Sequence, residues 1–110
     1  MIRYKIRPHF LPLIHSGKKK HEYRLASGNV AAGDRLLLVS NLDESDCVTV
    51  RVVGIEHYGN WREALAGRWE GEFQGLYDTF DVLIEECEGY YSEEDVEMYG
   101  INAFEIVAVE

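Results

Sequence analysis

Cys47 to Tyr58, read as CVTVRVVGIEHY, is a twelve-residue run dominated by β-branched and aromatic side chains, with one glycine at Gly54 and no proline. β-Branched residues fit a pleated, half-buried surface better than a helix, so this run predicts one long strand. A glycine inside such a strand marks a bulge or bend of the kind a sheet uses to turn a corner into a barrel. The remaining elements have to be compatible with it.

Four further runs supply partners. Met1 to Arg7 alternates Ile2, Tyr4 and Ile6 with Arg3, Lys5 and Arg7, the period-2 pattern of a strand with one buried face. Arg35 to Ser40 contains Leu36, Leu37, Leu38 and Val39 without a polar break, a strand covered on both faces. Lys20 to Leu25 and Ala103 to Val109 read as two more strands. Helices fit between them. Phe10, Leu13 and Ile14 share a helical face, Pro12 is tolerable only in a first turn, and Gly17 stands where a C-terminal cap belongs. Asn60 and Glu63 have capping-box spacing before a helix from Trp61 to about Arg68, and Ser92 caps a further helix whose first turn, Glu93 to Asp95, is acidic and which Gly100 ends. Glu70 to Gly89 is ambiguous: Phe73, Leu76, Tyr77 and Phe80 have helical spacing, whereas DVLIEE reads equally as a helix turn or a short strand. The order predicts an α+β, mostly β chain, a small antiparallel β-barrel with short flanking helices, with residues 1–110 forming one domain. No glycine-rich phosphate loop follows a strand, so a doubly wound parallel sheet is disfavoured.

The chain has 110 residues, enough for a core without staples, and 46% of them are hydrophobic, too many for a disordered chain. No stretch approaches the roughly 18 apolar residues of a membrane span, and the first ten residues carry no secretory h-region; a cytoplasmic location is expected. Cys47 and Cys87 lie far apart and lack zinc-site spacing, so reduced thiols are expected, with neither metal nor cofactor. The formal charge of -9 is unevenly distributed. Residues 1–24 carry seven Lys and Arg against Glu22 alone, a balance of +6, which leaves -15 for the rest. A protein gripping a long duplex by neutralising phosphates is normally basic overall, so that class is disfavoured. A basic mouth on an acidic chain suits a small anionic or nucleobase-like ligand, or a short single strand.

The stretch that carries chemistry is Gly17-Lys18-Lys19-Lys20-His21-Glu22-Tyr23-Arg24. Gly17 lets the chain leave the helix, and Lys20, Glu22 and Arg24, two apart on a strand, share a face with Lys19 at the turn beside them. Three such charges, if exposed, read most simply as an ion-pair ladder. As a working site, Glu22 would be a general base on a water while Lys19 or Arg24 stabilises an oxyanion. As a recognition site, Glu22 would accept from the exocyclic amine of a base, Arg24 would contact phosphate or carbonyl, and Tyr23 would offer a stacking face.

Gly17, Lys19, Glu22 and Arg24 reproduce the spacing G-x-K-x-x-E-x-R, and in this the chain resembles the ASCH domain family. Gly33-Asp34 before an apolar strand resembles the family's G-D element, and YYSEEDVEMYGINAFEIV its terminal helix and strand. The resemblance implies a fold like that of PUA RNA-binding domains, with a cleft between the barrel and the helix before Lys19. It also implies a partner, single-stranded RNA or a modified nucleoside, and admits hydrolysis, since family branches deacetylate N4-acetylcytidine or cleave single-stranded RNA. The amidohydrolase branch carries threonine where this chain has Glu22. Without that hydroxyl a covalent acyl-enzyme route has no side-chain nucleophile here, and binding is the preferred reading.

Other candidates have plainer roles. His9, His15, His21 and His57 pair with no acid or Cys at motif spacing. Ser16 reads as a helix-end residue and Ser27 as a turn residue. Tyr90 and Tyr91 form either a lid or a hydrophobic staple before Ser92, and Trp61 and Trp69 pack their helix inward.

Overall fold

The computed structural model describes residues 1–109. Its strands are β1 (Ile2–Ile6), β2 (His21–Leu25), β3 (Arg35–Ser40), β4 (Cys47–Tyr58) and β5 (Ile101–Ala108), and they form one sheet in the order β1-β3-β4-β5-β2. The chain is mostly β, and the sheet curls as half a barrel, with β1 and β2 at its two edges. β1 runs parallel to β3 and β3 antiparallel to β4. Contacts of β5 with β2 (Ile106 to Lys20, Ala26 to Gly100) and with β4 (Val109 to Thr49, Glu105 beside Gly54) both fall in descending register, so β5 is antiparallel to both. The helices are α1 (Leu11–His15), α2 (Trp61–Leu65), α3 (Phe80–Glu88) and α4 (Glu93–Tyr99). Among the described residues, no helix is long and apolar enough to cross a membrane.

Contacts divide the chain into two compact units interleaved in sequence: residues 1–22, 30–55 and 104–110 form the first, and residues 23–29 and 56–103 the second. In the first, the alternation read from the sequence does its work. Ile6, Leu36, Leu38, Val48, Val50, Val52, Phe104 and Ile106 make one buried cluster, closed by Leu11 and Ile14 of α1. Eight or more branched side chains without a polar break among them give the first unit its cohesion, each contributing about 1.5–3 kcal/mol on burial.

The second unit is built from capped helices. Asn60 Oδ1 accepts from Glu63 N at 2.9 Å, and the Glu63 carboxylate accepts in return from Gly59 N at 3.2 Å, so the reciprocal cap forms one residue further out than in a standard capping box. Thr79 and Ser92 accept from Val82 N and Asp95 N at the starts of α3 and α4. The ambiguous segment resolves into a π-helical turn over Trp69–Phe73, closed by Gln74 N to Trp69 O at 2.8 Å, followed by α3. DVLIEE is therefore helix. α2 ends at Leu65, three residues before the expected Arg68. Both cysteines are free thiols, Cys47 exposed and Cys87 buried.

Candidate ligand site

The turn after α1 determines where Lys19 points. Gly17 adopts φ +80° and its N–H donates to Ile14 O, after which Lys19 N donates to Leu13 O at 3.0 Å. The chain thus folds back against its own helix. Lys18 and Lys20 are exposed, whereas Lys19 is only 5% exposed. Its ammonium donates to His21 O at 2.6 Å and lies 4.9 Å from the centre of the Phe10 ring. A carbonyl and an aromatic face replace part of the water that the cation gives up. The ammonium is a three-donor group, and the His21 carbonyl and the Phe10 ring fix its orientation.

β2 follows at once. Glu22 is 8% exposed and belongs to the first unit with Lys19. The charges are not all exposed, as the simple ladder assumed: Glu22 is desolvated, and so is Lys19 at the turn beside it. Because a carboxylate loses several kcal/mol of hydration on burial, a buried Glu is retained where it is paired, hydrogen-bonded or needed by a ligand.

In the second unit Tyr23 is also 8% exposed. The residue read from the sequence as a stacking face has its ring centred 5.9 Å from that of Phe73, and its hydroxyl donates to Glu72 Oε2 at 3.0 Å. Arg24 is half-buried, two residues past Glu22 and so on the same side of the strand. Near Tyr23 lies a charged network that the sequence did not announce. Arg68, its side chain 14% exposed, donates to Tyr58 Oη at 3.0 Å and Ala64 O at 2.8 Å, and lies 3.3 Å from Glu56 Oε2. Tyr58 in turn donates to Glu56. Burial opposes the Arg68 charge, but the hydrogen bond with Tyr58 and the nearby Tyr23, Tyr58 and Glu56 groups outweigh it and hold the guanidinium above its ordinary range. Glu72 and Arg68 sit in GRWEGEF, where no spacing marks either as functional.

The remaining candidates take the plainer roles. Ser16 Oγ donates to Leu13 O at the helix end, and Ser27 lies exposed in a turn. His57 Nε2 is 2.8 Å from Tyr99 O. Trp61 is buried, stacked on Tyr91 with ring planes 9° apart and set edge-on to Tyr90. Trp69 meets Phe80 edge-on. Among the described residues, no three His, Cys, Asp or Glu side chains gather as a metal site requires.

A curled, mostly β sheet whose edge strand carries buried Glu22, with buried Lys19 in the turn between a short helix and that strand, defines a small PUA-like domain. The ASCH domain family profile matches residues 5–110, and the chain belongs to that family. Solved structures agree on the fold. The chain is similar to hypothetical protein PH0355 at 23% identity, with 97% of each chain covered and a TM-score of 0.77. It is similar to protein PF0455 from Pyrococcus furiosus at 27% identity, covering 99% of this chain and 97% of that one, with a TM-score of 0.72. To the ASCH protein from Zymomonas mobilis it is 17% identical over 98% of this chain and 69% of that one, with a TM-score of 0.56. No curated protein matches the chain.

Proposed function

We propose that this protein binds single-stranded RNA or a modified nucleoside through Lys19 and Glu22, with Arg24 next on the same strand side. The observation that carries the reading is burial: apart from Ser40, Lys19 and Glu22 are the buried polar or charged side chains among the described residues, and they lie three positions apart. Desolvated charges strengthen hydrogen bonds to a ligand, and their orientation is fixed before it arrives. Glu22 accepts from the exocyclic amine of a base, while Lys19 and Arg24 supply donors for carbonyl or phosphate oxygens.

A second reading, hydrolysis, draws on the same burial. Glu22 then serves as general base on a water and Lys19 stabilises the oxyanion. Binding takes precedence because Glu22 stands where a hydroxyl nucleophile would be needed. The test scores binding and conversion separately, with N4-acetylcytidine and with labelled single-stranded RNA, on the wild type and on Glu22→Gln and Lys19→Ala. Recognition alone predicts no turnover, a loss of about 1–2 kcal/mol in affinity for Glu22→Gln, and a clear loss for Lys19→Ala. Catalysis predicts turnover that falls about a hundredfold or more in Glu22→Gln with binding kept. Unchanged binding in both variants, with no turnover in the wild type, overturns both readings.

A further inference from the structure

The first unit presents a second charged feature, on the face of the sheet opposite its core. Residues directly paired across strands project to the same side. Leu36, Leu38, Val48, Val50 and Val52 point into the core, so their neighbours in sequence lie on the opposite face, which is covered at Val39 and exposed around Arg35 and Arg51. The register pairs Arg35 with Arg51, Arg3 with Leu37, and Lys5 with Val39. Arg3, Lys5, Arg35 and Arg51 therefore share the outer face, and all four are exposed. Arg7, exposed and extended at ψ 133°, continues the alternation one step beyond β1.

The pairing of Arg35 with Arg51 is the informative part. Like charges directly opposite on adjacent strands destabilise a sheet. Among the described residues, neither arginine has a carboxylate partner. Of the acids nearby, Glu44 pairs with Arg3 at 3.0 Å, Asp34 accepts from Ala31 N, and Glu105 lies beside Gly54. Folding gains nothing from facing two guanidinium groups, whereas an anion laid across them would turn the repulsion into attraction. From that pair the cations continue as a line along the β1 edge, Arg3, Lys5 and Arg7 being spaced by about 6.6 Å for each two residues of strand. The charge also separates by unit: the first holds eight Lys and Arg against seven Asp and Glu, the second three against thirteen. An anionic polymer is thus matched by the first unit and opposed by the second.

We infer that the outer face of β1, β3 and β4 grips the sugar–phosphate backbone of a single-stranded RNA, beyond the nucleotide held at Lys19 and Glu22. This inference rests on the proposed binding function and adds a second contact surface to it. Four of the five cations are arginine, whose planar fork takes two phosphate oxygens at once. A line of single charges at regular spacing matches a polymer with one charge per unit and asks nothing of the base sequence.

The test uses a fluorescent 12-nucleotide RNA and cytidine 5′-monophosphate as probes, with the double variant Arg35→Ala/Arg51→Ala beside Lys19→Ala. The double variant should lose affinity for the 12-mer by about tenfold or more at low salt, with a log–log salt slope shallower by about 1.4, the value for two phosphates on a single strand. Its affinity for the mononucleotide should stay at the wild-type value, and its thermal midpoint should hold or rise, because the opposed pair is gone. Wild-type affinity and slope for the 12-mer in the double variant overturn this surface, and leave the Lys19 site standing if Lys19→Ala still weakens the mononucleotide. Loss of the 12-mer in the double variant, with Lys19→Ala without effect on either probe, supports the surface and removes the Lys19 site. Displacement of the RNA by polyglutamate at equal charge overturns RNA as the occupant.

Discussion

Gly100 joins α4 to β5 at φ +74° and ψ -170°, a conformation essentially reserved for glycine. A Cβ added there would lie 2.5 Å from Tyr58 O and 2.6 Å from His57 Nε2, both closer than real Cβ contacts come. Gly100→Ala therefore carries three costs. The backbone conformation costs about 1–3 kcal/mol. The His57 ring has to swing away, breaking its contact with Tyr99 O, which is worth about 1 kcal/mol. The Tyr58 carbonyl is backbone in β4 and cannot move without disturbing the ladder, which adds about another 1 kcal/mol. The sum is roughly 3–5 kcal/mol, a large part of a typical domain's 5–15 kcal/mol. At about 4 °C per kcal/mol, thermal unfolding followed by circular dichroism should show a midpoint roughly 12–20 °C below wild type. Gly67→Ala is the control, since a Cβ there meets nothing within 4 Å and its φ lies outside the positive range. A Gly100→Ala midpoint within about 2 °C of the control would refute the steric argument, because the costs arise from separate contacts and only their joint absence gives that result.

Tyr77, half-buried and hydrogen-bonded to Glu86, has its phenol pKa raised by burial first and by that carboxylate second. Its neutral form is favoured in the folded state, so its contribution to stability is complete below the ordinary phenol pKa of 10.0 and is lost as pH rises beyond it. Ultraviolet titration of the folded protein should therefore show Tyr77→Phe losing no phenolate that appears below about pH 12, and a lost one would contradict the shift. The Trp61 indole N–H is buried without a hydrogen-bond partner among the described residues. Trp61→Phe removes that unsatisfied donor and part of the packing together, so chemical denaturation should show a cost under about 1.5 kcal/mol, against about 3–5 for Trp61→Ala; equal costs would refute it.

Strands were legible wherever side-chain chemistry repeats locally. The β-branched run of β4 is a strand from Cys47 to Tyr58, and the apolar β3 and alternating β1 fall where their patterns place them. Gly17 and Gly100, read as helix stops, both adopt positive φ. Pairing was not legible: nothing in IRYKI announces a parallel neighbour thirty-odd residues on, because strand order is decided by which buried faces fit. The π-helical turn at Trp69–Phe73 escaped for a related reason, since five residues are too few to display a period. At the candidate site the spacing located Lys19 and Glu22 but implied exposure, and the turn that buries Lys19 depends on Gly17 folding the chain onto Leu13. The Tyr23 to Glu72 contact joins residues 49 apart, a distance at which sequence carries no local signal.

β2 lies at the sheet edge, and its neighbour is β5, the last strand in the chain. As the chain leaves the ribosome, β1, β3 and β4 can pair with one another as each emerges, whereas β2 waits through some 75 residues of synthesis for β5, its neighbour in the sheet. During that interval the segment bearing Lys19 and Glu22 has an unpaired backbone, open to any extended peptide. The strand that carries the candidate site is thus among the last to gain its register. A ribosome stalled before Ile101 would hold a chain with most of its core residues but with β2 still lacking its partner strand.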